Sequence, residues 1–317
     1  MKRFIFSLLF LLCTVTLADA ANRFAVCATT CTWDGASTAM WSTTTGGATG
    51  ASVPGSADAV ILDGATCVGG TTCTITVNTS PNILSLTMGN CTASTTGCIL
   101  DFSVNNNNLA ATTISLTGTG TRTLKMGSGT WTITGTGTLW TLATATNITL
   151  TPGASNLIFQ VNNIQAGTFT TANGITYGHI TIAAQLTPAS GGIMGFSNNT
   201  FTIGTLSVLT PNFLDFGNGT PTFTNALSLL GSGSGGLAIQ NGTFTVAAGS
   251  TMSFATLFNT HWAGAPTATN SFDQGINTGI AITNSGSGGC ILGGWLLWRD
   301  FHENLNDNFP AWLERAA

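Results

Sequence analysis

Residues 130–134 are Thr-Trp-Thr-Ile-Thr, a strict alternation of threonine with large apolar side chains. Successive side chains of a β-strand point to opposite faces, so this pattern predicts a strand with one buried face. The same alternation recurs at residues 74–77 and 244–246. Glycine, asparagine and proline, which favour turns, separate such stretches. The sequence therefore predicts an all-β protein built from many short strands.

Two short units recur along the chain at intervals of 20 to 40 residues. The first is Thr-aromatic-Thr, centred on Trp131, Phe169, Phe201, Phe223 and Phe244. The second unit is apolar-x-apolar, where x is any residue. Its two apolar positions are 84/86, 114/116, 148/150, 180/182, 206/208 and 227/229. Such a period is typical of solenoids, and we predict a right-handed parallel β-helix with inward aromatic and aliphatic side chains. Because the spacing is uneven, tandem β-sandwiches are the alternative.

The composition excludes several classes of protein. Charged residues make up 6% of the 317-residue chain, against about a quarter in an ordinary soluble domain. Nucleic-acid binding is not expected, because the chain lacks a cationic surface. A coiled coil is not expected either, since its typical residues do not dominate. No motif for a cofactor is present, and we predict none.

The first 20 residues predict a Sec signal peptide, with Lys2 and Arg3, an apolar run over 4–12 and a small-residue cleavage site at 18–20. The chain is therefore expected to be secreted or exposed at the cell surface. No later segment predicts a transmembrane span.

The predicted regions are a signal peptide (1–20), a Cys-rich β cap with the first coils (21–100), the β-helix body (101–289) and a C-terminal helical cap (290–317).

Seven cysteines follow the predicted signal peptide, and six of them form close pairs in sequence. In an exported protein this spacing favours disulfides, and the simplest pairing is Cys27–Cys31, Cys67–Cys73 and Cys91–Cys98. Other connectivities remain open. Metal binding is the rival, but all three histidines lie far downstream, so no metal site is predicted. Cys290 is either a buried apolar residue or an intermolecular thiol.

Catalytic candidates are scarce. Between Asp101 and Arg299 the only carboxylates are Asp215 and Asp273, 58 residues apart. A polysaccharide lyase or glycoside hydrolase on a β-helix needs converging acidic groups, so these two are weak catalytic candidates. The paired-carboxylate hypothesis fails if the two carboxyls lie more than ~10 Å apart. An enzyme is the alternative, and a structural or binding protein is favoured.

Two kinds of binding use the residues that are abundant. Outward threonine and asparagine ladders offer hydroxyls and amides to a polysaccharide or cell-surface glycan, and we predict that exposed Trp140 and Trp262 stack on sugar rings. Ice binding through paired threonines is a minor alternative. It requires the threonines of successive coils to be in register, and the spacings of 38, 32, 22 and 21 residues between Thr-aromatic-Thr units argue against it. Self-association is also open, through an uncovered end of the solenoid or Cys290.

Two stretches carry a resemblance to known proteins. Residues 33–62, which include Trp33-Asp-Gly, Trp41-Ser and Pro54-Gly-Ser-Ala-Asp, resemble the start of many secreted or phage-associated β-helix proteins. Residues 121–153 are similar to the repeat body of the same proteins. The resemblance implies an adhesin-like or tail-fibre-like surface role, and some relatives of this type act on polysaccharides. It supplies no catalytic residues, and the Cys-rich N-terminal third departs from the pattern.

Overall fold

The computed structural model describes residues 20–283, apart from 92–96, 143, 162–166, 185–191, 198, 210–211, 232–236 and 274–275. The predicted signal peptide (except Ala20), the predicted C-terminal helical cap and Cys290 lie outside the described residues. The described chain contains β-strands and no helix. It therefore contains no helix that could cross a membrane.

The chain divides into two compact units. Among the described residues, unit 1 comprises 20–135 with 139–157, and unit 2 comprises 136–138 and 158–283. The strands up to the division are β1 (Asn22–Ala25), β2 (Thr30–Trp33), β3 (Trp41–Ser42), β4 (Ala59–Leu62), β5 (Cys73–Val77), β6 (Ser85–Met88), β7 (Cys98–Asp101), β8 (Leu109–Ala111), β9 (Thr113–Ser115), β10 (Arg122–Lys125), β11 (Thr130–Ile133), β12 (Gly137–Thr141), β13 (Ile148–Thr151) and β14 (Asn156–Val161). The later strands are β15 (Gly167–Thr170), β16 (Ile175–Ala184), β17 (Gly192–Phe196), β18 (Thr200–Val208), β19 (Asn212–Phe223), β20 (Ser228–Leu230), β21 (Leu237–Val246), β22 (Thr251–Ser253), β23 (Ala255–Ala263), β24 (Thr267–Thr269), β25 (Phe272–Asp273) and β26 (Ala281–Thr283).

In unit 1 the chain returns repeatedly to the same ladders of parallel strands. Ladder 1 runs β1-β4-β6-β9-β12, and ladder 2 runs β2-β5-β7-β10-β13. Ladder 3 pairs β8 with β11, and an isolated bridge joins Asn82 to Ala110 of β8. The short β3 pairs antiparallel with β1. Ladder 2 contains β5, before residue 100, and β10, after it; residue 100 is the predicted boundary between the Cys-rich cap with the first coils and the β-helix body.

Alternation explains the core of unit 1. In β5, Cys73, Ile75 and Val77 point inward while the intervening threonines face outward. In ladder 1, Val60, Leu86, Ile114 and Trp140 stack in register, each with no more than 1% of its surface exposed. Each strand thus buries one apolar column against the next, which stabilises a continuous core without charged residues.

Three disulfides close corners between ladder 1 and ladder 2. They join Cys27 to Cys31, Cys67 to Cys73 and Cys91 to Cys98, and this confirms the predicted pairing. Cys73 and Cys98 lie in register on neighbouring strands, and the backbones of Cys27 and Cys67 form an isolated β-bridge. The disulfides therefore succeed one another along one corner of the unit. Such cross-links are typical of an oxidising, extracellular environment.

Unit 2 also has three parallel ladders. Ladder 4 runs through β15, β17, the first halves of β19, β21 and β23, and β25. Ladder 5 runs through the first halves of β16 and β18 and the second halves of β19, β21 and β23, and ends at a bridge to Thr278. Ladder 6 is β20-β22-β24-β26.

Aromatic rings fill the core of unit 2. Phe196 stacks on Phe216 with centroids 4.4 Å apart, and Phe244 stacks on Trp262 at 4.2 Å. Phe216 meets Phe244 edge to face at 4.9 Å. The central residues of the Thr-aromatic-Thr units do not all share one column: Phe201 lies opposite Pro221, whereas Phe223 lies opposite Ile203. Two of the recurring apolar pairs are in register, because Ile180 and Ile182 lie opposite Leu206 and Val208.

Parallel pairing does not fit the tandem sandwiches considered as an alternative, because sandwiches are built from antiparallel sheets. In each unit the chain returns repeatedly to that unit's own ladders. This is consistent with a β-helix or another solenoid-like fold.

Candidate functional site

Asp215, the first catalytic candidate, is engaged by its own fold. Its Oδ1 accepts hydrogen bonds from the Gly217 backbone N–H at 2.9 Å and from Asn241 Nδ2 at 3.2 Å. Its Oδ2 accepts one from Gln240 Nε2 at 2.9 Å. The carboxylate therefore anchors the bend of β19 and ties it to β21. Asp215 therefore has a structural role at the corner of the fold.

Asp273, the second candidate, lies three strands away from Asp215. Along ladder 4, Asp215 is opposite Gln240, while Asp273 is opposite Leu257 on β23. Three interstrand steps separate the two residues by ~14 Å, at ~4.8 Å per step. This exceeds the ~10 Å allowed for a pair of hydrolytic carboxylates. Asp273 instead accepts a hydrogen bond from Asn277 Nδ2 at 2.6 Å.

Trp140 and Trp262 do not offer their rings to solvent, so the prediction that they stack on sugars is wrong. Trp140 is completely buried, and Trp262 is only 6% exposed. Both occupy inward positions of their strands: Trp140 stacks opposite Ile114, and Trp262 packs on Phe244. An indole buries a large apolar area, and the core of a charge-poor protein is where it stabilises most.

The exposed aromatic residues are ones that the sequence analysis missed. Phe258 on β23 is 37% exposed and Phe254, just before that strand, is 40% exposed. Phe258 follows Asp215 and Gln240 in one outward column of ladder 4. The alternation of β23 would have indicated Phe258, because Leu257 beside it is buried.

An amide ladder lines the corner between ladders 4 and 5. Asn218, Asn241 and Asn259 all have positive φ, at 84°, 51° and 49°, a conformation that asparagine tolerates. Asn259 Nδ2 donates to Asn241 Oδ1 at 3.1 Å, and Asn241 donates in turn to Asp215. The Asn-Gly pairs at 218–219 and 241–242 were the available sequence signal.

Unit 1 carries a shallow depression of about 240 Å³ on its outer surface. Three consecutive passes of the chain form it, with Asn82, Ala110 and Thr132 in one row. Ser80, Asn108 and Thr130 form the next row, in which Asn108 Oδ1 accepts the Thr130 N–H at 2.7 Å and the Asn108 N–H donates to Ser80 Oγ at 3.2 Å. The lining thus combines these hydroxyl and amide groups with the apolar surfaces of Pro81, Leu109 and Ala110.

Ladder 5 presents paired threonines in register. Thr200 and Thr202 lie opposite Thr220 and Thr222, and Thr222 lies opposite Thr245. The predicted mismatch of threonines between coils is therefore wrong on this ladder. Turns of different length absorb the uneven spacing, so the strands themselves stay aligned.

The outer face of ladder 2 in unit 1 also carries threonines, but an ion pair stands among them. Lys125 Nζ contacts Asp101 Oδ2 at 2.9 Å, across the pair formed by β10 and β7. Burial alone would raise the pKa of Asp101, but hydrogen bonds from Ser103 and the charge of Lys125 together lower it. The Asp101 carboxylate is 7% exposed and the Lys125 side chain 37%.

We expect Lys125→Gln to lower the free energy of unfolding by less than about 1 kcal/mol at pH 7, because Lys125 is partly exposed. A carboxylate whose pKa is lowered on folding stabilises the fold above its unfolded pKa, and this stabilisation is lost as the pH falls through the folded value. The difference between Lys125→Gln and the parent should therefore vanish well below pH 4. Urea unfolding at pH 7 and pH 3 measures it. A difference that persists unchanged at pH 3 would contradict the assignment.

Among the residues that the structure describes, no three His, Cys, Asp or Glu side chains gather as metal ligands. No family model, curated protein or solved structure matches this chain.

Proposed function

We propose that the protein is a secreted or surface-exposed right-handed parallel β-helix with a structural or adhesive role, and that it binds a neutral glycan. Several features support the proposal. The strands are mostly parallel, three disulfides suit an extracellular setting, and the net charge of the whole chain is only −4. The resemblance to secreted and phage-associated β-helix proteins supports a surface role.

The observation that carries the glycan proposal is the depression of unit 1 with its amide and hydroxyl groups. Asn82, Asn108, Thr130 and Thr132 offer amide and hydroxyl groups, which both donate and accept hydrogen bonds. Sugar hydroxyls have the same double character. No charged side chain is among the residues that line the depression, so a neutral sugar fits it better than an acidic one.

A polysaccharide lyase or hydrolase is less well supported. The hydrolase requires two converging carboxylates, and the register of ladder 4 keeps Asp215 and Asp273 three strands apart. Hydrogen bonds to the fold also occupy both oxygens of Asp215.

The experiment incubates the purified chain, residues 21–317, with insoluble neutral and acidic polysaccharides. Retention is measured by pelleting, and released oligosaccharides by mass spectrometry. We expect retention on a neutral polymer without release. Thr132→Tyr, which fills the depression, should abolish retention. Thr149→Tyr, on the exposed outer face of ladder 2, is the matched control and should keep it.

Each other outcome contradicts a specific part of the proposal. Release of oligosaccharides would establish an enzyme. Equal retention of Thr132→Tyr and the parent would exclude the depression as the site. If no polymer retains the parent, glycan binding is wrong, and the size of the particle measured by light scattering then tests self-association.

A further inference from the structure

The outer surface of ladder 5 is a two-column array of hydroxyl groups. Register places Thr176, Thr202, Thr222 and Thr245 in one column, followed by Ala263. The other column contains Thr200 and Thr220, followed by Thr243, His261 and Thr278. Thr243 continues that column because Gly219 is opposite Gly242 and Thr222 is opposite Thr245. Seven threonines thus lie on four successive strands of one face, and Thr278 follows after β23, which contributes His261 and Ala263.

The array has a regular spacing in two directions. Neighbouring strands are ~4.8 Å apart, and threonines two residues apart along a strand are separated by ~6.6 Å. Three strands in a row carry the complete pair: 200/202, 220/222 and 243/245. The result is a small rectangular lattice of hydroxyl and methyl groups.

Buried residues beneath the lattice and contacts between its threonines fix the positions of the hydroxyl groups. The residue between each pair points into the core: Phe201 and Phe244 are each 1% exposed, and Pro221 is buried. Threonine is β-branched, so its χ1 angle is restricted and its hydroxyl has few accessible positions. The hydroxyls of Thr200 and Thr220 also form a hydrogen bond with each other.

Lysine, arginine and carboxylate side chains are absent from the array, in which His261 is the one titratable residue. The chain has no lysine or arginine between residues 126 and 298, and its two carboxylates in that stretch, Asp215 and Asp273, lie on ladder 4. This matters because an ammonium group is strongly hydrated and would orient nearby water around itself. Thr176, Thr200, Thr243, Thr245 and Thr278 are exposed, and the other three are half-buried.

We infer that this face of unit 2 binds ice. Ice is neutral, rigid and periodic in two dimensions, as the threonine lattice is. Water molecules bridging the threonine hydroxyls would take up matching positions at little entropic cost. A dissolved glycan chain is flexible and periodic in one dimension only, so it gains little from a second column. The inference does not rest on the glycan proposal, which concerns unit 1.

The experiment uses the purified chain, residues 21–317, and slowly growing ice. We expect the parent to enter the ice fraction and to slow the recrystallisation of fine ice. Thr222→Tyr, at the centre of the array, places a bulky ring on the lattice while keeping a good strand former. Its partition into ice should fall roughly tenfold or more, because the affinities of repeated contacts multiply. Thr267→Tyr, on an exposed threonine of ladder 6, is the matched control and should behave like the parent.

Circular dichroism and thermal unfolding check that the variants are folded, and Thr245→Tyr replaces Thr222→Tyr if the latter is not. Exclusion of the parent from ice would overturn the inference, as would equal partition of parent and folded array variant. Polysaccharide retention, measured on the same samples, separates the two proposals. A parent that is excluded from ice but retained on a polysaccharide overturns this inference alone. A parent that enters ice but is retained on no polysaccharide overturns the glycan proposal alone.

Discussion

Replacing Phe244 with alanine is expected to lower the free energy of unfolding by about 3–5 kcal/mol, the range for truncating a buried phenylalanine. Phe244 is 1% exposed and touches the rings of Phe216, Phe223 and Trp262, at centroid distances of 4.9, 6.4 and 4.2 Å. These partners sit on several strands of the ladder. Truncation therefore removes apolar contacts on several sides at once.

The neighbouring backbone makes the cavity hard to refill. A side chain at Gly242 would meet the Phe244 ring at 2.5 Å, so the chain leaves this space to the ring. When the ring is removed, its partners cannot all move in, because parallel strands fix their spacing.

Urea unfolding followed by tryptophan fluorescence measures the effect of Phe244→Ala, and the stacked Trp262 should report a local change. Thr243→Ala is the matched control on the same strand. Its side chain points outward, so we expect a loss of at most about 1 kcal/mol, from the lower strand propensity of alanine. Equal losses for the two variants would show that Phe244 does not organise the core.

Replacing Arg122 with methionine is expected to raise the free energy of unfolding, by about 1–4 kcal/mol, as when buried charged groups are exchanged for apolar ones. Arg122 has no exposed surface, and it points inward in register with Cys98 and Ile148. Its terminal nitrogens reach only the carbonyls of Met88 and Thr146, at 3.5 and 3.4 Å, and its Nε has no hydrogen-bond partner among the described residues. Contacts this long contribute little.

Burial lowers the pKa of the Arg122 guanidinium, because removal from water disfavours the charged form. The folded chain therefore holds this proton less tightly than the unfolded chain, and the charge costs stability at every pH below its ordinary pKa. Methionine fills much of the same volume without that cost.

Thermal and urea unfolding of Arg122→Met and Arg122→Lys measure this prediction. Arg122→Lys keeps the buried charge and should not gain stability. A lower stability of Arg122→Met than of the parent would contradict the prediction, and it would mean that the two carbonyls bind the guanidinium strongly enough to repay its desolvation. In that case Arg122 is a non-covalent clamp between successive passes, close to the corner that Cys91–Cys98 closes.

The candidate sites show where sequence reasoning reached its limit. The sequence analysis predicts that Trp140 and Trp262 are exposed and stack on sugar rings, but both side chains occupy inward positions of their strands. Phe258 is outward by the same rule. Asp215 and Asp273 are equally ordinary in sequence, and only the register of ladder 4 shows that three strands separate them.

Local chemistry was enough to predict the strands, the turns and the disulfide pairs, because each depends on residues close in sequence. Alternation of threonine with apolar side chains determines which face of a strand is buried, and cysteines four to seven residues apart close their own corners. Register between strands is different. It depends on how each turn folds, and turns of different length leave Thr200, Thr220 and Thr243 aligned although their spacing is unequal. The burial of Arg122 and the threonine lattice therefore arise only from tertiary packing, in which residues twenty or more positions apart become neighbours.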